Sequence, residues 1–194
     1  MKRFLISLAL PLPLALGLVA CGATEPRFDA PPVAGFDTVA SRYGRIEVVT
    51  VTLPVYGQGE EIHARDKTGA ILPLGPLWAD EPGREVTLQI ARDLDAITGR
   101  LVAPEPWPFR DYPDVKVDVR LQDFYATERG TFRLAGQVFV APEEGGPDRA
   151  KTFEIETAIP VTKPGAKPGP AQIAAARTAA VSQLSVFIAQ NGLR

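Results

Sequence analysis

Across 194 residues the chain holds a single cysteine and a single histidine. One thiol cannot build a disulfide framework, and one thiol with one imidazole falls short of the Cys/His sets that hold zinc. A basic surplus is missing too: 21 Lys and Arg face 23 Asp and Glu, a formal charge of −2. Nucleic-acid binders gather cations to neutralise phosphates, so no nucleic-acid partner is expected. What is present is 45% hydrophobic and 23% charged residues, an ordinary globular balance with enough Val, Ile, Leu and Phe for one core. That content excludes a chain disordered throughout.

Charge is also missing from residues 4–20, which follow Lys2 and Arg3. A positive start and an uncharged apolar run of this length read as a secretory signal, and Pro11 and Pro13 spoil the run as a spanning helix. It closes on Leu18-Val19-Ala20-Cys21, followed by Gly22. These residues resemble a bacterial lipoprotein signal, the four matching a lipobox with Cys21 as the acceptor of covalent lipid. The chemistry fits, since a thiol is the side chain most readily alkylated to a thioether. The bland alternative is a buried Cys near the start of an ordinary secreted domain. The resemblance implies a signal peptide over residues 1–20 and attachment to the membrane by several acyl chains, palmitate among them. Each buried methylene adds about 0.8 kcal/mol, so such an anchor is effectively permanent. Gly22 stands where enterobacterial inner-membrane lipoproteins carry Asp, which implies the outer membrane, facing the periplasm.

Residues 21–44, with Pro26, Pro31, Pro32, Gly35 and Gly44, read as a lipidated tether holding a folded domain of residues 45–194 off the bilayer. Residues 36–39 offer an alternative strand start. Ile46, Val48, Val49, Val51 and Leu53 predict a strand covered on both faces. Residues 61–65 and 69–74 predict a hairpin about Asp66-Lys67-Thr68-Gly69. A helix is expected over 81–98, capped by Asp80 and Gly99, with Val86, Ile90, Leu94 and Ile97 in one apolar stripe. Three strands follow, with inward rows Val115 to Leu121, Phe132 to Val140 and Phe153 to Ile159, each alternating with polar residues. A second helix over 171–190 places Ile173, Ala176, Ala180, Leu184, Phe187 and Ile188 on one face. Gly136, a gap in a bulky row, is where that Ala-rich face would approach closely. The fold class is α/β, in the α+β sense: a mixed, largely antiparallel sheet of about five strands packed with two main helices.

The assembly resembles the PqiC-type ABC-transport auxiliary lipoproteins. The residues that carry the resemblance are the lipobox, the strand ending Leu53-Pro54-Val55-Tyr56, and the segment Trp78-Ala79-Asp80-Glu81-Pro82 that opens the first helix. Asp123-Phe124, then Phe132-Arg133-Leu134-Ala135-Gly136 across Gly130, and the C-terminal amphipathic helix complete it. The resemblance implies a fold similar to anticodon-binding domains. It also implies a non-catalytic role as the outer-membrane partner of an MCE-type lipid-transport system crossing the periplasm. The implied partners are the membrane, through the lipid, and an MCE-type periplasmic protein of the ABC transporter, with a homo-oligomer as a further candidate. An outer-membrane lipoprotein chaperone or pilotin is the competing reading.

No catalytic constellation, cofactor site beyond the lipid on Cys21, or metal site is expected. His63 lacks a second His or Cys, and Ser41, Ser182 and Ser185 lack a Gly-x-Ser-x-Gly elbow. Gly57-Gln58-Gly59 reads as a turn, and Asp93 and Asp95 as a solvated helix face. Asp118 and Asp123, an odd number apart, are expected on opposite sheet faces. The partner-binding candidates are aromatic: Trp107, Phe109 and Tyr112 in the Pro-stiffened loop 104–113, and Trp78, which competes as a core residue. The polar row from Lys116 to Gln122, with Phe139 beside it, is either a wet face or a joint between subunits.

Overall fold

The computed structural model describes residues 25–163 and 166–194, so the signal segment and Cys21 lie outside the described residues. The strands are β1 (Arg27–Phe28), β2 (Arg45–Val48), β3 (Glu61–Arg65), β4 (Ile71–Trp78), β5 (Leu101–Pro104), β6 (Val115–Thr127), β7 (Thr131–Pro142) and β8 (Arg149–Ala158). Helix α1 (Pro82–Thr98) stands between β4 and β5, and α2 (Pro170–Asn191) closes the chain. The eight strands form one mixed sheet. Its long ladders, β6–β7 and β7–β8, and the β3–β4 hairpin are antiparallel. The pairs β1–β4, β2–β5, β2–β6 and β3–β6 are parallel. The α/β class holds with more strands than expected. The additions, β1 and β5, are two and four residues long, too short for alternation to be read.

One sheet face and both helices enclose the core. Val115, Val117, Val119, Phe132, Leu134, Val138 and Val140 point inward from β6 and β7. On the same face α1, lying against β2 and β5, adds the stripe Val86, Ile90, Leu94 and Ile97, and α2, lying against β7 and β8, adds Ile173, Ala176, Ala180, Leu184 and Ile188, all essentially buried. Pro82 occupies the first turn of α1, so the cap falls on Glu81 and not on Asp80. The Glu81 carboxylate accepts from the amides of Gly83 (2.8 Å) and Arg84 (2.6 Å), while Asp80 pairs with Arg84 one turn on. Gly99 ends the helix in the left-handed region, as expected (φ 62°).

The close approach at Gly136 is to β6, not to α2. A Cβ there would stand 2.2 Å from the Arg120 carbonyl oxygen and 3.0 Å from Leu121 Cα. The register between β6 and β7 shifts at this point, between Leu121 and Asp123. A bulge inserts one residue and turns the following side chains over, which corrects the parity expected for the two aspartates. Phe124 is buried in the core, and Asp118 and Asp123 share the outer face, Asp118 opposite Phe139 and Asp123 paired with its diagonal neighbour Arg133.

The tether is shorter than expected. Arg27 and Phe28 pair with Leu77 and Trp78, and the Val39 amide donates to the Ile97 carbonyl (2.9 Å). Val39, Ser41 and Tyr43 are buried, and the Arg42 amide reaches the Leu193 carbonyl (3.0 Å). The folded unit therefore begins at Arg27 among the described residues, not at Arg45. Proline and small residues suit a laid-down extended segment as well as a free one, and composition does not separate the two.

Leu184 is fully buried where α2 meets the sheet and α1. Its replacement by Ala is expected to cost about 2–5 kcal/mol, read as a lowered urea midpoint at unchanged slope.

Candidate functional site

Strands β5 and β6 both run parallel to β2, on its two sides, so the chain must return past β2 between them. Residues 105–114 make that return as a loop instead of a helix, because four prolines flank or interrupt it at 104, 106, 108 and 113. Both ends are tied to β2. The Glu105 amide donates to the Val48 carbonyl (2.8 Å), and the Asp114 amide to the Arg45 carbonyl (2.9 Å). Asp114 accepts from the Arg45 guanidinium (2.8 and 2.9 Å) and from the amides of Gly44 and Arg45. Against the desolvation that raises its pKa, those donors hold the Asp114 carboxyl below the usual Asp range.

Within this clamp the three aromatic candidates come together unequally. The half-buried Trp107 donates from Nε1 to the Asp111 carbonyl (2.6 Å) and meets Phe109 edge-on, with centroids 5.1 Å apart. Phe109 is 45% exposed and Tyr112 84%. Tyr112 lines a cleft of about 710 Å³ with Arg42, Arg110, Asp111 and Glu144. The arrangement is a stiff aromatic projection with charges of both signs around it.

Trp78 does not belong to this surface. It is 2% exposed, packed against Phe124 and Phe132 at centroid distances of 6.0 and 6.4 Å, and offers nothing to a partner. Over its ring, 4.5 Å from the centroid, lies the guanidinium of Arg177, itself 1% exposed. Arg177 makes a bidentate pair with Glu85 of α1, one bond being 2.7 Å, and approaches Asp29 at 3.7 Å. Sequence reasoning missed this group, although a signal existed. Arg177 stands four residues after Ile173 and seven before Leu184, on the apolar stripe itself.

Asp93 likewise lies on the α1 stripe, three residues after Ile90, and is 1% exposed, not solvated. It accepts from Ser182 Oγ (2.8 Å) and from Gln89 Nε2 (3.4 Å), and Gln89 also donates to the Thr178 carbonyl (2.8 Å). Desolvation raises the Asp93 pKa, the bonds from Ser182 and Gln89 and the nearby Arg92 only partly offsetting it. These polar groups join two helices, and Ser182 also lines a largely apolar hollow of about 330 Å³ with Val33, Phe36 and Val186.

Of the remaining titratable candidates, Asp123 lines a charged cleft of about 350 Å³ with Arg65, Tyr125, Arg133 and Glu156, and the others lie apart from it. His63 is half-buried, its Nδ1 2.9 Å from the Glu61 carbonyl oxygen and its ring edge-on to Tyr56. Burial pushes the Tyr56 hydroxyl up to about 12. Asp118 pairs with Arg120 (2.7 Å), whose guanidinium lies over Phe139, and Asp123 pairs with Arg133 (2.6 Å). Among the described residues no group of three or more His, Cys, Asp or Glu is placed to hold a metal ion. Among the same residues no helix is long and apolar enough to cross a membrane.

The family described as "ABC-type transport auxiliary lipoprotein component" matches residues 28–189. A crystal structure of an uncharacterized protein superposes with a TM-score of 0.68 at 15% identity, covering 86% of this chain and 98% of that one. A Xanthomonas campestris protein of the DUF330 family superposes with a TM-score of 0.60 at 14% identity, covering 85% and 91%. At these identities the two likenesses establish the fold. No curated protein matches the chain.

The buried carboxyl of Asp93 makes stability depend on pH in a definite direction. Its folded pKa is raised, so the folded chain holds the proton more tightly than the unfolded one. The contribution is fully present below the unfolded Asp value of about 3.9 and is lost as pH rises through the folded value. Asp93→Asn, which keeps an acceptor for Ser182, is expected to gain stability relative to the parent as pH rises from about 4 to about 7. Urea melts at the two pH values check it, and a pH-independent difference would contradict it.

Proposed function

We propose that this chain, which belongs to the family of ABC-type transport auxiliary lipoprotein components, is a non-catalytic, lipid-anchored component of an MCE-type lipid-transport system. It is held by covalent lipid on Cys21 at the outer membrane, on the periplasmic side, and meets its periplasmic partner through the loop 105–114. The observation that carries this reading is the family match over residues 28–189, most of the folded chain. The charged cleft among the described residues, about 350 Å³ lined by Arg65, Asp123, Tyr125, Arg133 and Glu156, has its Arg133 and Asp123 side chains paired with each other (2.6 Å), an arrangement that suits an auxiliary role.

The loop supports the partner contact on physical grounds. Prolines have already restricted its backbone, and Trp107, Asp111 and Phe109 hold one another, so docking orders little that was free. Phe109 and Tyr112 present apolar area whose burial stabilises a complex by about 25 cal/mol per Å² before those ordering costs. The flanking Arg110, Asp111 and Glu144 give a polar rim.

Two outcomes follow. Cys21→Ala is expected to abolish acyl-chain labelling of the chain and its retention in the membrane fraction. Labelling that persists on the variant would contradict the anchor. Tyr112→Ala, at a side chain with almost no packing to lose, should leave the melting temperature unchanged. It should weaken capture of the MCE-type partner by up to about thirtyfold, the effect of about 2 kcal/mol at a binding hot spot. Unchanged capture by both Tyr112→Ala and Phe109→Ala would remove the loop from the interface.

A further inference from the structure

We infer that the β3–β4 hairpin rests on the anchoring bilayer, with Leu72 and Leu74 of β4 buried in the lipid interface. This rests on the reading of Cys21 as the acylated residue. Residues 68–79 carry no charge, and within them Leu72 and Leu74 are 51% and 47% exposed, two residues apart on one side of the strand. They flank a sheet edge: β1 covers the outer edge of β4 at Leu77 and Trp78, and toward the turn β4 has no second strand partner among the described residues.

Three observations select lipid as the occupant. The first is reach. The Leu77 amide donates to the Pro26 carbonyl, so the chain is fixed to β4 there, and Cys21 is five residues before Pro26. Five residues span at most about 18 Å. Leu72 is also five residues from Leu77, about 17 Å along the strand. The acylated residue and the exposed leucines thus fall within one radius of the same point. The second is direction. Because β1 is parallel to β4, the described chain enters it from the side of the hairpin turn, the side from which the segment bearing Cys21 leads in. The third is the edge chemistry. Pro73 and Pro76 offer no amide and Gly75 sits at φ 97°, so this edge is poorly suited to adding a strand from a second copy or a peptide. Apolar contact with lipid asks for no backbone donors. The turn adds the exposed Lys67 for anionic headgroups, while the Asp66 carboxylate accepts from the amides of Thr68 and Ala70 (2.8 and 3.0 Å).

The test uses the full lipidated chain in vesicles of phosphatidylethanolamine and phosphatidylglycerol. With Cys21 acylated, Leu74→Cys supplies the one free thiol, for an environment-sensitive dye. Lys151→Cys on β8, at the opposite edge of the sheet, serves as control. The Leu74→Cys dye is expected to shift to the blue and lose most of its emission to brominated acyl chains, and the control dye to do neither. A blue shift without bromine quenching would mean that protein covers the edge and would overturn the inference. An unshifted, unquenched Leu74→Cys dye on a chain that still floats with the vesicles would overturn it too, leaving the anchor intact. A chain that lacks acyl mass at Cys21 and does not float would overturn the anchor and this inference together.

Discussion

Strand β6 is the member on which the remaining order depends. It is 13 residues long and pairs along nearly its whole length with β7 on one edge. On the other it takes β2 near its start, bridges Thr52 midway and takes β3 at its end. Two short parallel strands that would be marginal alone are aligned by one long neighbour, and each brings an appendage: β2 brings β5 and the aromatic loop, β3 brings β4 and β1. The bulge past Leu121 lets one strand serve both partners. It turns the second half of β6 relative to the first, and Gly136 is the residue whose missing side chain lets the backbones close at that bend.

Where a segment had one dry face and one wet face, the sequence showed it. The rows of β6, β7 and β8, the α1 stripe and the Gly99 cap are local patterns, fixed by alternation, by 3.6-residue spacing and by the left-handed freedom of glycine. What escaped was non-local. Nothing in Arg27-Phe28 announces that it will pair with Leu77 and Trp78, because two residues have no period. The bulge defeated parity counting, since one inserted residue makes an odd separation even. The hairpin was legible from its turn, but β4 runs on past the expected end at residue 74 to Trp78, carrying both Pro73 and Pro76. They are tolerated because they fall on an edge.

The candidate surface was legible in its composition and not in its geometry. Prolines around three aromatics marked a stiff loop, but the division between the self-packed Trp107 and the displayed Tyr112 depends on one hydrogen bond to Asp111. The converse error came from reading charge as exposure. Arg177 and Asp93 each occupy the apolar stripe of their helix, and a charge on such a stripe announces a buried partner as readily as a fault in the pattern. Glu85 supplies it for Arg177, and Ser182 with Gln89 for Asp93.

A buried ion pair does not earn its place by stability alone, since desolvation consumes most of its Coulombic gain and a matched apolar pair serves as well. Its value lies in what it refuses to tolerate. With its guanidinium enclosed by the Trp78 ring, the Glu85 carboxylate and Asp29, Arg177 admits one arrangement of α1, α2 and the segment after β1. An apolar contact would let that segment slide, whereas displacing it removes Asp29 from a cation with little solvent to replace it. The N-terminal segment is thereby registered against the sheet twice, by its ladder to β4 and by its charge to α2. For the proposed attachment through Cys21, that double fastening has a mechanical consequence. Load or orientation imposed at the anchor then reaches the sheet through fixed contacts, and the loop at residues 105–114 is presented from the same rigid body.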